Sequence, residues 1–192
     1  MKKNLIFIGV IVACFILIMS CSSSQPKRIE SPYRITVPSQ VYLLPRTFIS
    51  SDYSYQFQYP GDWHDITNIA SRLVSENIGI DVRFDSFFGK YEDDYHVIGV
   101  GGFSIPRTDY YTLVDVESSW RDMNYMVGRL RVSGYDGIAA YNDTPTFYLK
   151  ERYIAVDTGW KIYVFVIAVE GMEYYNEFDD AYNIFIQSLW IQ

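Results

Sequence analysis

Tyr53-Ser54-Tyr55-Gln56-Phe57-Gln58-Tyr59 alternates aromatic and polar residues without a break. Successive side chains of a strand point to opposite faces, so this segment predicts a half-buried β-strand. Pro60-Gly61 ends it with a turn, and Trp63 follows. Residues 68–75 are ambiguous, although Ile69 and Leu73 stand four apart and allow a short helix. Residues 78–84 alternate again and predict a strand, and residues 87–94 a loop. Residues 97–105 predict a strand with Gly99, Gly101 and Gly102 inside it, which marks a bulge or a close backbone approach. Pro106 stops it.

The clearest helix comes next. Leu113, Val116, Trp120, Met123 and Val127 step by three and four and form one apolar stripe. Thr112 with Asp115 resembles a capping box, and Gly128 is a natural stop. A strand is expected from Arg129 to Val132, turn chemistry from Ser133 to Gly137, and a resumed strand at residues 138–141. Residues 147–156 and 160–169 flank Asp157-Thr158-Gly159, a hairpin signal. Residues 162–169 are almost wholly apolar, which predicts a central strand covered on both faces. After Gly171, Phe178, Ala181, Tyr182, Phe185 and Leu189 mark a last amphipathic helix. This order predicts an α+β fold: an antiparallel β-sheet with helices on both faces, in one domain without repeats.

The N-terminus changes the picture of where such a domain works. Met1-Lys2-Lys3-Asn4 is positive, and residues 5–19 are apolar and uncharged. The run is short for a bilayer span, which needs about 20 residues, and fits a secretory signal peptide. Ile18-Met19-Ser20-Cys21 resembles the bacterial lipobox. That resemblance implies cleavage before Cys21, diacylglycerol on its sulfur and an acyl chain such as palmitate on the new amine. An ordinary signal peptide or an uncleaved anchor beside a chance cysteine is the plainer alternative; it leaves the agreement of charge, run length and cysteine position unexplained. Each buried methylene contributes about 0.8 kcal/mol, so two or three chains anchor stably where one does not. The expected organisation is a signal peptide over 1–20, a tether and Pro-rich extended lead-in over 21–51 with at most a short edge strand near residues 33–37, and a single domain over 52–192.

Loss of the first 20 of 192 residues leaves 172, enough for a proper core. Cys14 leaves with the signal and Cys21 carries lipid, so the domain has no cysteine for disulfides, thiol catalysis or metal binding. The remaining 14 basic and 23 acidic residues give a balance of −9, which repels phosphate backbones and argues against a nucleic-acid partner. With 18 Tyr, 12 Phe and 4 Trp, a domain of this size must leave some aromatics on its surface, where Tyr suits a contact face. The plainer role of any one Tyr is to fill a half-buried strand position.

Candidate chemistry is sparse. His64 and His96 are the only imidazoles. His64 follows Trp63 and reads as a surface or half-buried residue. His96 closes the densest acidic cluster, and Glu92, Asp93, Asp94 and His96 are weak candidate ligands for a divalent cation. The cluster lacks EF-hand spacing, and a solvated acidic loop explains it equally. Glu173, Glu177, Asp179 and Asp180 lie near the start of the last helix, where its dipole accounts for them. Gly102-Phe103-Ser104-Ile105-Pro106 lacks the second Gly of a nucleophile elbow. Gly99-Val100-Gly101-Gly102 lacks the Lys-Ser/Thr of a phosphate loop. No catalytic residue and no cofactor is expected.

Tyr55-Gln56-Phe57-Gln58-Tyr59-Pro60-Gly61-Asp62-Trp63 is similar to the aromatic-x-x-Pro-x-x-Trp opening of PsbP-like domains. Asp81-Val82-Arg83-Phe84-Asp85 sits where that family has a strand and a short acidic turn, Gly137-Ile138-Ala139 resembles its Gly-x-Ala, and Gln187-Ser188-Leu189-Trp190 its close. The resemblance spans residues 53 to 190 and implies an α-β-α sandwich with an accessory role. Plant members are extrinsic subunits that help photosystem II hold calcium and chloride, and cyanobacterial relatives are lumenal lipoproteins, in keeping with Cys21. A Ran-binding nuclear protein shares the fold, so fold alone does not settle function. The basic docking segment of plant members has no match in residues 25–51, and no functional residues carry over. The expectation is therefore a non-enzymatic accessory protein, lipid-anchored at Cys21 to the cell or outer membrane and facing the periplasm or exterior. It would dock on an envelope complex through an aromatic-rich face. The alternative is a module binding a small ligand or divalent metal at the periplasmic face; third comes an envelope hydrolase.

Overall fold

The computed structural model describes residues 44–78, 83–145 and 148–192. Cys21, the signal segment and the short edge strand expected near residues 33–37 lie outside them. Ten strands and three helices are present among the described residues. The strands are β1 (Arg46–Ile49), β2 (Tyr55–Tyr59), β3 (His64–Asp65), β4 (Ser86–Asp93), β5 (His96–Pro106), β6 (Met126–Val132), β7 (Tyr135–Thr144), β8 (Leu149–Asp157), β9 (Lys161–Glu170) and β10 (Trp190–Ile191). The helices are α1 (Thr67–Ile78), α2 (Leu113–Asp122) and α3 (Phe178–Ser188). None of them is long and apolar enough to cross a membrane.

The fold is α+β with antiparallel pairing throughout. It has two sheets where one was expected. Seven strands run in the order β3-β4-β5-β9-β8-β7-β6, and three more in the order β1-β2-β10. The apolar run of residues 162–169 lies at the centre of the larger sheet, as its unbroken hydrophobicity requires. Its residues alternate between two cores. Ile162, Val164, Val166 and Ala168 join a cluster with Ile66 and Ala70 at α1 and Val116 and Trp120 of α2. Tyr163, Phe165, Ile167 and Val169 join a second cluster with Phe178, Ala181 and Phe185 of α3 and Tyr55, Phe57 and Tyr59 of β2. The aromatic half of the β2 alternation is thus the buried half. Phe57 meets Phe185 at a centroid distance of 5.5 Å and Tyr55 meets Phe165 at 5.2 Å, both edge-on, the arrangement that ring quadrupoles favour.

Several local expectations need correction. The sheet begins ahead of Asp52: Arg46–Ile49 pairs with β2, and the Phe48 ring packs on Phe57 and Phe88, each at 5.3 Å. Pro45 precedes the strand without entering it, so it costs no ladder bond. The strand expected at residues 78–84 is absent at its described ends, because Ile78 ends α1 and Arg83 and Phe84 are irregular. Where a loop was expected, β4 pairs along β5 from Ser86 to Asp93. Gly89-Lys90 and the acidic end of β4 hide its pattern. Gly89 is needed because a Cβ there would collide with the Ile98 carbonyl. Gly99 and Gly101 make room for the Phe87 ring, so the glycines of β5 mark a close approach, and the bulge lies in β4 between Tyr91 and Asp93.

The predicted helix is shorter than its stripe. Thr112 begins it as expected, with its N–H and hydroxyl both donating to Asp115 Oδ2 at 2.8 Å. It ends at Asp122, and Asn124 turns the chain with φ of 63°, a conformation Asn tolerates better than most residues. Tyr125 then enters the core and β6 begins, so Gly128 lies within a strand and is no helix stop. Val127 packs against the same cluster as Val116 and Trp120, but from β6. Finally, the chain does not end at the last helix. Trp190 and Ile191 form β10 on β2, and the Ser188 hydroxyl accepts from Gln58 N at 2.7 Å.

Candidate functional site

The acidic cluster forms the tip of the β4–β5 hairpin. Its members turn to separate partners. Glu92 Oε1 accepts from the Tyr174 hydroxyl at 2.8 Å. Asp93 Oδ1 accepts from Tyr95 N at 2.8 Å and lies 2.8 Å from His96 Nδ1. Asp94 Oδ1 accepts from the Tyr91 hydroxyl at 2.7 Å and sits 3.8 Å from Arg72. Glu173 approaches the other ring nitrogen of His96 at 3.9 Å. The hydrogen bonds of Tyr95 N and His96 hold Asp93 below the usual carboxylate range, and Asp93 in turn raises His96. Among the described residues, no three such side chains converge as a metal would require. His64 is exposed on β3. Glu177 pairs with Lys90 at 2.8 Å, Lys90 also holds Asp62 at 2.7 Å, and Asp179 pairs with Lys150 at 2.9 Å.

Two features escaped the sequence reading. The first is Glu151, which is 0% exposed in the middle of β8. Three neutral donors close around its carboxylate: the Tyr125 hydroxyl at 2.7 Å, the Tyr153 hydroxyl at 3.0 Å and Asn142 Nδ2 at 3.3 Å. Burial raises its pKa, and those donors only partly offset the cost. Burial also pushes Glu170 up to about 7, with Glu151 adding to the effect. The signal was present in the sequence: Glu151 stands in phase with Leu149, Tyr153 and Ala155, all buried. Lys150 and Arg152 beside it make the segment look like a charged surface.

The second feature is a groove of about 480 Å³ between the β6–β7 hairpin and α3. Leu130, Ala139, Tyr182, Ile186 and Leu189 form its apolar lining, and Tyr141 and the β6 arginines Arg129 and Arg131 also line it. The groove exists because α3 packs chiefly along β2, and Ser188, at its end, is bonded there. Among the described residues, the outer strands β6 and β7 are left open beside Tyr182 and Ile186. Arg129 and Arg131 have side chains 79% and 71% exposed, paired with Glu117 at 3.2 Å and Asp136 at 3.3 Å. The Arg131–Asp136 pair is exposed on both sides and contributes little, whereas the Glu117 side chain is only 16% exposed and also holds Arg121 at 2.9 Å.

This architecture is similar to the solution structure of cyanobacterial PsbP (CyanoP) from Synechocystis sp. PCC 6803. The likeness covers 82% of this chain and 99% of that one at 10% identity, with a TM-score of 0.53. The domain is thus PsbP-like in fold. A crystal structure of a protein from Bacteroides thetaiotaomicron VPI-5482 also matches, at 13% identity and a TM-score of 0.44, over 78% of this chain and 49% of that one. No protein-family model matches the chain, and no curated protein does.

Proposed function

We propose that this chain is a lipid-anchored, non-enzymatic docking protein of the cell envelope, held by Cys21 and presenting a PsbP-like α-β-α sandwich to an envelope complex. The observation that carries the reading is the open groove beside β6, an apolar surface next to a sheet edge that no other strand among the described residues pairs with. The division of β9 between a cluster with α1 and α2 and a cluster with α3 supports helices on both faces. The lipobox-like Ile18-Met19-Ser20-Cys21 supports the anchor. Exposed aromatics support a contact face. Tyr53 and Trp160 sit on loops joined by the Asp52–Lys161 pair at 3.6 Å, and Tyr110 follows Arg107, which is bonded to the Trp160 carbonyl at 2.9 Å. Glu151 is sealed by its own donors, as suits a structural carboxyl.

The test has two parts. In-cell crosslinking of the native protein, denaturing purification and mass spectrometry should return one recurrent membrane complex; nothing beyond background overturns the docking role. Cys21→Ser should release the protein from membranes, and a variant that still sediments with them overturns the anchor.

A further inference from the structure

We propose that the outer edge of β6 takes up an extended acidic segment of a partner protein as an added strand. This deepens the docking reading above and rests on it. β6 is the last strand of the seven-stranded sheet, and the turn to β7 decides which of its backbone groups face outward. Ser133 and Gly134 have φ of 52° and 90°, the signature of a type I′ hairpin turn. In such a turn the Val132 carbonyl meets the Tyr135 N–H, so the groups of Val132 point into the sheet. Antiparallel pairs alternate between bonded and non-bonded. Along the β6–β7 register, Leu130 and Gly128 therefore also point inward, while Arg131, Arg129 and Val127 point out. A separate contact agrees: the Arg121 guanidinium, on α2, donates to the Val127 carbonyl at 3.3 Å. Among the described residues, no hydrogen bond involves the backbone N–H or carbonyl of Arg129 or Arg131 on that side.

Natural edges are usually guarded by proline, bulges, short length or charge. β6 is seven residues long, has no proline and pairs without a register shift. Its guard is the two arginines, and these select the partner. Antiparallel pairing with a second β6 would bring like charges together, which disfavours another copy of this chain. An acidic strand meets the opposite sign. On the arginines' own face Arg129 pairs with Glu117 at 3.2 Å and Arg131 with Asp136 at 3.3 Å, and a partner's carboxylates would add to these pairs on the outer side, where 79% and 71% of the arginine side chains are exposed.

Alternation along β6 adds the second half of the partner's chemistry. Arg129 lies toward Glu117 of α2, whereas Leu130 belongs to the opposite core face. Gly128 shares the Leu130 face, and a Cβ there would meet nothing within 4 Å. A strand beside β6 would set one row of side chains against the arginines and the other beside Leu130 and the open space at Gly128. The fitting segment alternates acidic and aliphatic residues. The free backbone groups favour a peptide over a lipid headgroup, which has no ladder to complete.

The test uses the full chain after Cys21, a fluorescent peptide of about nine residues alternating glutamate and valine, its lysine counterpart, and vesicles containing phosphatidylglycerol. The acidic peptide should bind and slow amide exchange at Arg129 and Arg131, and the lysine peptide should bind about ten-fold more weakly or worse. Arg129→Gln removes charge alone. Arg129→Pro also removes an outward N–H that β7 does not use, so it should weaken binding about five- to ten-fold further. No binding at about 1 mM peptide, equal effects of the two variants, or binding without protection at those amides overturns the proposal. So does equal protection by the vesicles, which assigns the arginines to a lipid surface. Should Arg129→Pro fail to fold, the exchange measurement on the unaltered chain decides. If the peptide fails while in-cell crosslinking still returns a recurrent complex, this inference falls and the docking reading stands.

Discussion

Replacing Glu151 with glutamine and with alanine separates what its carboxyl does as a hydrogen-bond acceptor from what its ionisation costs. Alanine leaves the Tyr125 and Tyr153 hydroxyls and Asn142 without the acceptor they now share at 2.7, 3.0 and 3.3 Å. Each orphaned buried donor costs about 1–3 kcal/mol, and the one lost methylene adds about 0.8 kcal/mol. Partial relaxation reduces the sum, so a loss of about 3–6 kcal/mol is expected. Glutamine keeps an acceptor in place and should stay within about 1 kcal/mol of the parent at pH 5. The pH dependence then has a definite sign. Burial raises the Glu151 pKa in the folded protein, while the unfolded chain ionises near the ordinary value of about 4.3. Stability from this group is complete below that value. As pH rises, the unfolded chain loses its proton first, and the advantage drains away up to the raised folded pKa. Glutamine has no proton to lose, so its stability relative to the parent should improve between pH 5 and pH 8. Urea unfolding of the chain after Cys21 at both pH values measures this, with the fluorescence of Trp120, 5.8 Å from the Tyr153 ring, as a local probe. A glutamine variant as unstable as the alanine one, or a gap that does not change with pH, would refute the account.

Two further predictions use the same unfolding assay. Glu170 has its pKa pushed up to about 7 by burial and by Glu151. The parent should lose stability as pH climbs from about 4.5 to 7, and Glu170→Gln should recover about 1 kcal/mol at pH 8 after allowance for its partial exposure. A flat pH profile in the parent would count against it. Gly101→Ala would drive a methyl into the Ser86 carbonyl and the Phe87 ring. Backbone sits on one side, so the collision has no cheap escape, and the urea midpoint should fall by the equivalent of about 2–3 kcal/mol; an unchanged midpoint would show that β4 and β5 can separate.

Much of the fold was legible wherever one periodicity ran undisturbed. The alternation in β2, the apolar run of β9, the hairpin at Asp157-Thr158-Gly159 and the stripe of α3 each appear at the positions their patterns imply. The misses share a different cause. β4 escaped because Gly89, demanded by the neighbouring carbonyl of Ile98, broke its pattern. The end of α2 was misplaced because Val127 satisfies the helical stripe while belonging to β6. Of the site, the acidic hairpin was visible as composition, but its dispersal onto Tyr174, Tyr95, His96 and Tyr91 was not. The groove was not visible at all, because it is a gap between elements distant in sequence.

By itself, the order of residues determined the local elements, the antiparallel α+β class and the central place of β9, because side-chain period and continuous apolarity are local properties read by water at each position. Only the tertiary structure decided that the strands divide into two sheets, that β10 returns to β2, that Glu151 is enclosed by Tyr125, Tyr153 and Asn142, and that β6 stands at the end of the seven-stranded order. Each of those depends on which surfaces meet across long stretches of chain, and a polar group's burial is settled by the donors that happen to surround it.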